Sequence, residues 1–449
     1  MFKPSIKTRK FFLIIGDIFL LYFALFLTLL LRYNRPSLEI WQAHFLLFSI
    51  IYFIWLIIFY INGLYKLTLI RPSLKFFSTL IQSFIIGGII AATFFYFIPY
   101  FVPYFKITPK TNLFLVIIIL IFLLTIWRFV YYRFSRSEVF LENLLIITKK
   151  DKLEETKEIT SYIEKHPELG YKIKRAILEE EFFSIKDFLK EKVQTIVLNF
   201  NLYQEKKLIH YFYSLLPLRI NLIDFSIFWE KIFEKIPLSY IKEIWFLENL
   251  LRKEKRFYEL SKRVIDIIFS LFLGFSTVIL FPFIYFFIKI NSPGPVFFRQ
   301  KRAGKDGKIF FINKFRTMIK EAEKEGPQWA KEKDPRITTI GHFLRKAWLD
   351  ELPQFLNILK GEMSIVGPRP ERPEFIEKLK KEIPFYRIRL LTKPGLTGWA
   401  QVNFPYGDSI EDAKEKLQYE LFYLKNQSFL LDLSIILKTI KTILTFKGQ

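Results

Sequence analysis

The chain has no cysteine, which excludes disulfides, thiolate nucleophiles and cysteine-held metals. Histidine is nearly as scarce. His44, His166, His210 and His342 stand far apart, with no helical pairing among them, so a histidine metal site is not expected. Acid is short relative to base: 43 Asp and Glu face 67 Lys and Arg, for a net charge of +24. Such a surplus suits anionic partners, whether nucleic acid, phosphorylated substrates or an acidic membrane leaflet. The basic residues are split among loops and the flanks of apolar runs rather than gathered in one stripe, which sets nucleic acid aside. No signal-peptide pattern is visible. The basic start (Lys3, Lys7, Arg9, Lys10) leads into an apolar run too long for a cleavable segment.

Long apolar runs are abundant. Four lie at Phe11–Leu31, His44–Ile61, Phe76–Ile98 and Leu113–Tyr131. Each is about 18–23 residues, enough to cross a hydrocarbon core of about 30 Å. Lys66, Arg71 and Lys75 lie between the second and third runs, and Arg128, Arg133 and Arg136 lie at the end of the fourth. With the basic N-terminus, they place both ends of a four-helix unit on the cytoplasmic side. Asp17 is an acid inside the first run, either functional or hydrogen-bonded within the bundle.

Beyond residue 134 the pattern changes. Asn143–Ile147, Val193–Leu198 and Arg219–Ile223 read as buried parallel strands, with amphipathic helices between them. That is a Rossmann-like α/β domain. Dinucleotide binding asks for glycines directly after the first strand. Here the strand runs into Thr148–Lys152, "TKKDK", so a structural or regulatory role is expected instead. A fifth apolar run, Val264–Ile290, has basic clusters on both flanks, which argues that both its ends stay cytoplasmic. Pro282 inside it is expected to break a straight helix. The expectation is a segment that enters one leaflet, bends and returns. The last stretch, Ser428–Phe446, has the spacing of an amphipathic helix, suited to a membrane surface or to packing within the domain.

Asp350 and Glu351 stand just before Pro353 and an apolar stripe, at the expected start of a helix. On spacing alone they complement the helix dipole, an effect worth about 0.3–1 kcal/mol. Their neighbours widen the choice. Lys314, Arg316, Arg345 and Arg369 lie in or near rigid Gly-Pro turns, a setting that suits the gripping of phosphates. A carboxylate there can hold Mg²⁺ or attack phosphorus.

The segments "KRVIDIIFSLFLG", "SPGPVFFRQKRAGKDGKIFFINKFRTM", "LDELPQFLNILKGEMSIVGPRPE" and "LTKPGLTGWAQVN" resemble the bacterial sugar transferase family, the polyprenyl-phosphate glycosyl-1-phosphate transferases. The preceding spans and α/β domain are similar to the large members that start exopolysaccharide or O-antigen assembly. The resemblance implies transfer of a sugar 1-phosphate from a UDP-sugar to undecaprenyl phosphate, with release of UMP. It implies Asp350 as a covalent nucleophile, Glu351 as a Mg²⁺ ligand, and Lys314, Arg345 and Arg369 on the phosphates, and it matches Val264–Ile290 to the family's re-entrant helix. Many members of the family carry Ser-Pro at the bend where this chain has Phe281-Pro282.

The expected architecture is a mixed membrane protein. Residues 1–133 form four transmembrane helices and residues 134–260 the α/β domain. Residues 261–290 form the re-entrant helix. Residues 291–449 form an α-rich cytoplasmic catalytic domain on a bacterial inner membrane, with membrane lipids as partners and room for a homodimer. Two rivals are a membrane-anchored nucleotide-sugar dehydratase or epimerase working through the α/β domain, and a non-enzymatic scaffold built on the spans.

Overall fold

The computed structural model describes residues 4–101, 110–180, 192–200, 209–210, 212–213, 217, 220–250, 256–320, 322, 326, 334–404, 407 and 409–444. Lys3 of the basic start, Arg219 of the third expected strand, Phe446 of the last stretch, and Arg252, Lys253 and Lys255 of the basic flank before the fifth run lie outside them. The chain divides into two compact units, Met1–Phe228 and Trp229–Gln449.

In the first unit, helices α1 (Ile6–Tyr33), α2 (Leu38–Asn62), α3 (Leu74–Phe101) and α4 (Lys110–Ser135) follow the four apolar runs. Each is long and apolar enough to cross a membrane. Their inward faces pack Leu13, Leu21, Leu25 and Leu29 of α1 and Val116, Leu120 and Leu124 of α4, all buried. Outward faces leave Phe19, Phe53, Ile89 and Phe122 exposed, the reverse of a water-facing helix. Gly87 lets Trp55 close on the backbone. The indole N–H donates to the Gly87 carbonyl at 2.9 Å, and a Cβ there would meet the ring at 2.7 Å. Asp17 is tied down inside the bundle by two bonds from Arg128, each 2.7 Å, so it serves the packing of α1 on α4.

The same unit carries a parallel sheet in the order β2-β1-β3-β4, made of β1 (Glu142–Thr148), β2 (Tyr171–Leu178), β3 (Thr195–Asn199) and β4 (Asn221–Asp224). Helix α5 (Leu153–Lys165) connects β1 towards β2. Three strands match expectation. The edge strand β2 was not expected: its "YKIKRAIL" is charged and half-exposed, so it lacks the apolar run by which β1 and β3 show themselves.

The second unit is organised along one helix, α6 (Arg256–Asn291). Its buried residues Asp266, Ser270, Gly274, Thr277, Ile284 and Ile288 form a single stripe over about 33 Å. The opposite face exposes Ile268, Phe272, Phe275, Val278 and Ile290. The break expected at Pro282 is absent. The helix continues through it to Asn291, with Phe281 stacked on Phe297 and Phe315, and Ile284 and Ile288 buried on either turn beyond. Around the stripe lie a hairpin of β5 (Phe297–Ala303) and β6 (Ile309–Phe315), helix α7 (Thr339–Lys346), a 3₁₀ helix (Leu349–Gln354) that runs into α8 (Phe355–Lys360), and a parallel pair β7 (Ser364–Val366) and β8 (Gly395–Thr397). A second 3₁₀ helix (Tyr386–Leu391) and helices α9 (Ile410–Asn426) and α10 (Phe429–Leu444) complete the packing.

Candidate active site

Trp348 takes a left-handed conformation (φ 57°) and turns the chain from α7 into the 3₁₀ helix. The next two helical positions but one are Asp350 and Glu351, each 6% exposed. They do begin a helix, as the spacing suggested, but their side chains do not cap it. Glu351 Oε1 accepts from Lys314 Nζ and from an Arg369 guanidinium N–H, both at 2.6 Å. Lys314 Nζ also lies 3.8 Å from Asp350 Oδ2.

Each cation arrives on a braced element. Lys314 sits near the end of β6. Its neighbour Asn313 donates through its backbone N–H and its side chain to Asn357 Oδ1 on α8, at 3.2 and 3.0 Å. The strand is thereby held beside the acids. Arg369 sits in the turn after β7, where four successive carbonyls are taken. Pro368 O accepts from Gly395 N (2.8 Å), Arg369 O from Arg389 (2.9 Å), Pro370 O from Arg302 (3.0 Å) and Glu371 O from Ala303 N (2.9 Å). Gly367 opens this turn because a Cβ would lie 2.4 Å from the Lys393 carbonyl. Behind it, Arg389 forms a buried fork with Glu420 on α9, at 2.7 and 2.5 Å. Sequence reading missed Asn357, Arg389 and Glu420, since nothing local marks partners 31 to 44 residues away.

Of the expected phosphate-binding residues, Lys314 and Arg369 are brought onto the acids. Arg345 donates through Nε to Thr317 Oγ1 at 2.9 Å and lies close enough to lower the Asp350 carboxyl. Arg316 is not brought in: its guanidinium donates to Ser292 O (2.7 Å) and Pro293 O (2.8 Å), tying β6 to the loop after α6. Arg316 lies one residue past the end of β6, so it does not share the strand's regular alternation with Lys314.

The two carboxyls are pushed apart. Burial raises Asp350 to about 6, against the pull of Lys314 and with the push of the Glu351 charge. Burial also works on Glu351, but Arg369 and Lys314 overcome it and hold that acid at about 2. Burial pulls the Lys314 ammonium down, opposed by both acids. One acid is thus firmly ionised and the other exchanges a proton near neutrality.

A divalent cation can be tested against these groups. Glu351 Oε2 is buried and has no hydrogen-bond partner among the described residues. An oxygen in that position suits a hard cation. No cluster of three or more His, Asp or Glu surrounds it among the described residues. The acid pair alone would suit a cation such as Mg²⁺, which can bind through one or two carboxylates with water and substrate phosphate filling its shell.

Residues 257–446 match the family model described as bacterial sugar transferase. The chain is 48% identical over 161 residues to a UDP-N-acetylgalactosamine-undecaprenyl-phosphate N-acetylgalactosaminephosphotransferase of Aeromonas hydrophila, covering 36% of this chain and 38% of that protein. It is 44% identical over 164 residues to a UDP-glucose:undecaprenyl-phosphate glucose-1-phosphate transferase of Escherichia coli (strain K12), covering 36% and 34%. A protein of the same description from Caulobacter vibrioides is 39% identical over 191 residues, covering 42% of this chain and 71% of its own. The match to the first two spans only about a third of their length.

Proposed function

This chain belongs to the bacterial sugar transferase family, and from that premise we propose that it transfers a sugar 1-phosphate from a UDP-sugar to undecaprenyl phosphate at the cytoplasmic face of a bacterial inner membrane. The reading rests on one observation: two adjacent buried carboxyls share a site with Lys314 and Arg369. Asp350 is the nucleophile. Its ionised oxygen forms a bond to the sugar-bearing phosphorus of the donor, and the bond from that phosphorus to the UMP oxygen breaks with its electron pair. An oxygen of the acceptor's phosphate then attacks the same phosphorus, and the Asp350 carboxylate leaves. Lys314, Arg345 and Arg369 hold the phosphate oxygens where negative charge builds up. The braced Arg369 turn supplies a cation that does not reorganise during the step. Glu351, with Asp350 beside it, would hold Mg²⁺, which when bound offsets charge on the phosphates.

The placement of α6 fits this chemistry. Near its start, Arg263 donates to Ile358 O and Leu359 O, both at 2.7 Å, and near its end Asn291 accepts from Ile340 N at 3.3 Å. Both ends therefore pack on the same charged unit. A helix that delivered its end to the far side of a membrane would carry that unit's ion pairs across. The arrangement supports a helix embedded in one leaflet with both ends cytoplasmic, and a reaction centre at headgroup height. The dehydratase reading lacks support, since β1 ends at Thr148 and continues into Lys149, with no glycine turn.

The test is UMP release by the purified full chain with Mg²⁺ and undecaprenyl phosphate, across a panel of UDP-sugars. At least one donor is expected to give acceptor-dependent turnover. Turnover with none, together with bound NAD(P), would replace this reading by the dehydratase one.

A further inference from the structure

A cavity of about 140 Å³ opens between the first turns of α6 and helix α10, walled by Ile265, Phe269, Ile365, Val366, Leu433 and Ile436. Its lining is almost wholly carbon. The polar groups at its edge are turned into bonds of their own. Asp432 accepts from Lys262 Nζ (2.7 Å), Tyr258 OH (2.9 Å) and Tyr423 OH (2.9 Å). Asp266 accepts from Ser364 Oγ (3.0 Å) and Ile365 N (2.8 Å). An apolar cavity of roughly 150 Å³ stays dry and takes a benzene-sized guest, so this one has room for a small branched hydrocarbon unit.

We infer that this groove holds the first isoprene unit of the lipid acceptor, an inference that rests on the proposed transferase reaction. Two observations select that occupant. The groove lies between two faces turned outward with apolar side chains, Val264 and Ile268 on α6 and Phe429 and Leu430 on α10, so it is continuous with an exposed apolar surface of the kind lipid covers. Its floor is β7, and Val366 at the end of that strand is three residues from Arg369. That spacing is at most about 11 Å of chain. In a polyprenyl phosphate the phosphate joins the first isoprene unit directly, so a phosphate at Arg369 leaves its tail beside this floor. An acyl chain of a bulk lipid has no such anchor.

The experiment fills the groove with Leu433→Trp and Ile436→Trp in the full chain. Each variant is assayed with undecaprenyl phosphate and with a saturated straight-chain alkyl phosphate. The KM for the polyprenyl acceptor is expected to rise at least tenfold, and the wild-type preference for it over the alkyl phosphate to vanish. Acceptor-free UMP release reports separately on the donor half of the site. Intact release with an unchanged acceptor KM overturns the groove assignment and leaves a bilayer acyl chain or simple packing in its place. Absent acceptor-dependent turnover in the wild type overturns the transferase reading instead. If the tryptophan variants do not fold, a wild-type chain photolabelled with a diazirine-bearing prenyl phosphate decides. Adducts are expected on α6 and α10 around Phe269 and Leu433, and adducts confined elsewhere contradict the proposal.

Discussion

Burial sets Asp350 against the stability of the fold. A carboxyl raised to about 6 binds its proton more tightly folded than unfolded, so its ionised form costs stability once pH exceeds the unfolded value near 4. Asp350→Asn removes that cost. It is expected to raise stability by on the order of 2–3 kcal/mol near pH 8 while abolishing UMP release. An unfolding midpoint below that of the wild type contradicts the assigned electrostatics. The same group shapes the pH profile. Only the ionised carboxyl attacks, so kcat/KM is expected to fall about tenfold per unit as pH drops below about 6; a flat profile down to pH 5 argues against this nucleophile. Lys314, Arg369 and the acid pair were legible in sequence because they stand in the motifs that carry the family resemblance. Arg316 was misjudged because it lies just past the end of β6 and turns to the Ser292 and Pro293 carbonyls, and nothing in "NKFRTM" says that the strand stops before it.

Elements carry the next level of precision. The Arg369 turn is held by partners from β5, β8 and the second 3₁₀ helix, and Arg389 of that 3₁₀ helix links the turn to Glu420 on α9. Arg389→Lys keeps a charge opposite Glu420 but loses the fork and the bond to the Arg369 carbonyl. A displacement of about 1 Å in a positioned group costs about 100-fold, so kcat is expected to fall 10- to 100-fold with the donor KM changed much less; a pure KM effect contradicts a positioning role. Helix α6 was visible as an apolar run, but its continuity through Pro282 was not, because the ring stack of Phe281, Phe297 and Phe315 that steadies it comes from distant strands. The absence of cysteine makes its topology easy to read. Glu259→Cys and Lys289→Cys, introduced singly, are both expected to resist a membrane-impermeant thiol reagent in intact cells and to react once the cytoplasmic face is opened. Labelling of Lys289→Cys from outside contradicts a helix confined to one leaflet.

At the scale of the whole molecule, one unit holds four apolar helices and the parallel sheet, and the other holds the buried acid pair with its cations. The net charge of +24 suits a protein that meets anionic headgroups and phosphorylated substrates at once. Within the bundle the Asp17–Arg128 pair is fully enclosed. Asp17→Asn strands a buried guanidinium, and such a loss costs about 3–5 kcal/mol. The bundle's thermal midpoint in detergent is expected to drop, and an unchanged midpoint contradicts a structural role for the pair. The account's central claim, attack by Asp350 on phosphorus, is tested most directly by incubating the full chain with Mg²⁺ and a UDP-sugar labelled in its sugar-bearing phosphate, with no lipid acceptor. Each chain is expected to release up to one UMP and to retain the label on Asp350, and Asp350→Asn to do neither. UMP release only when acceptor is present, with no label on the protein, contradicts it.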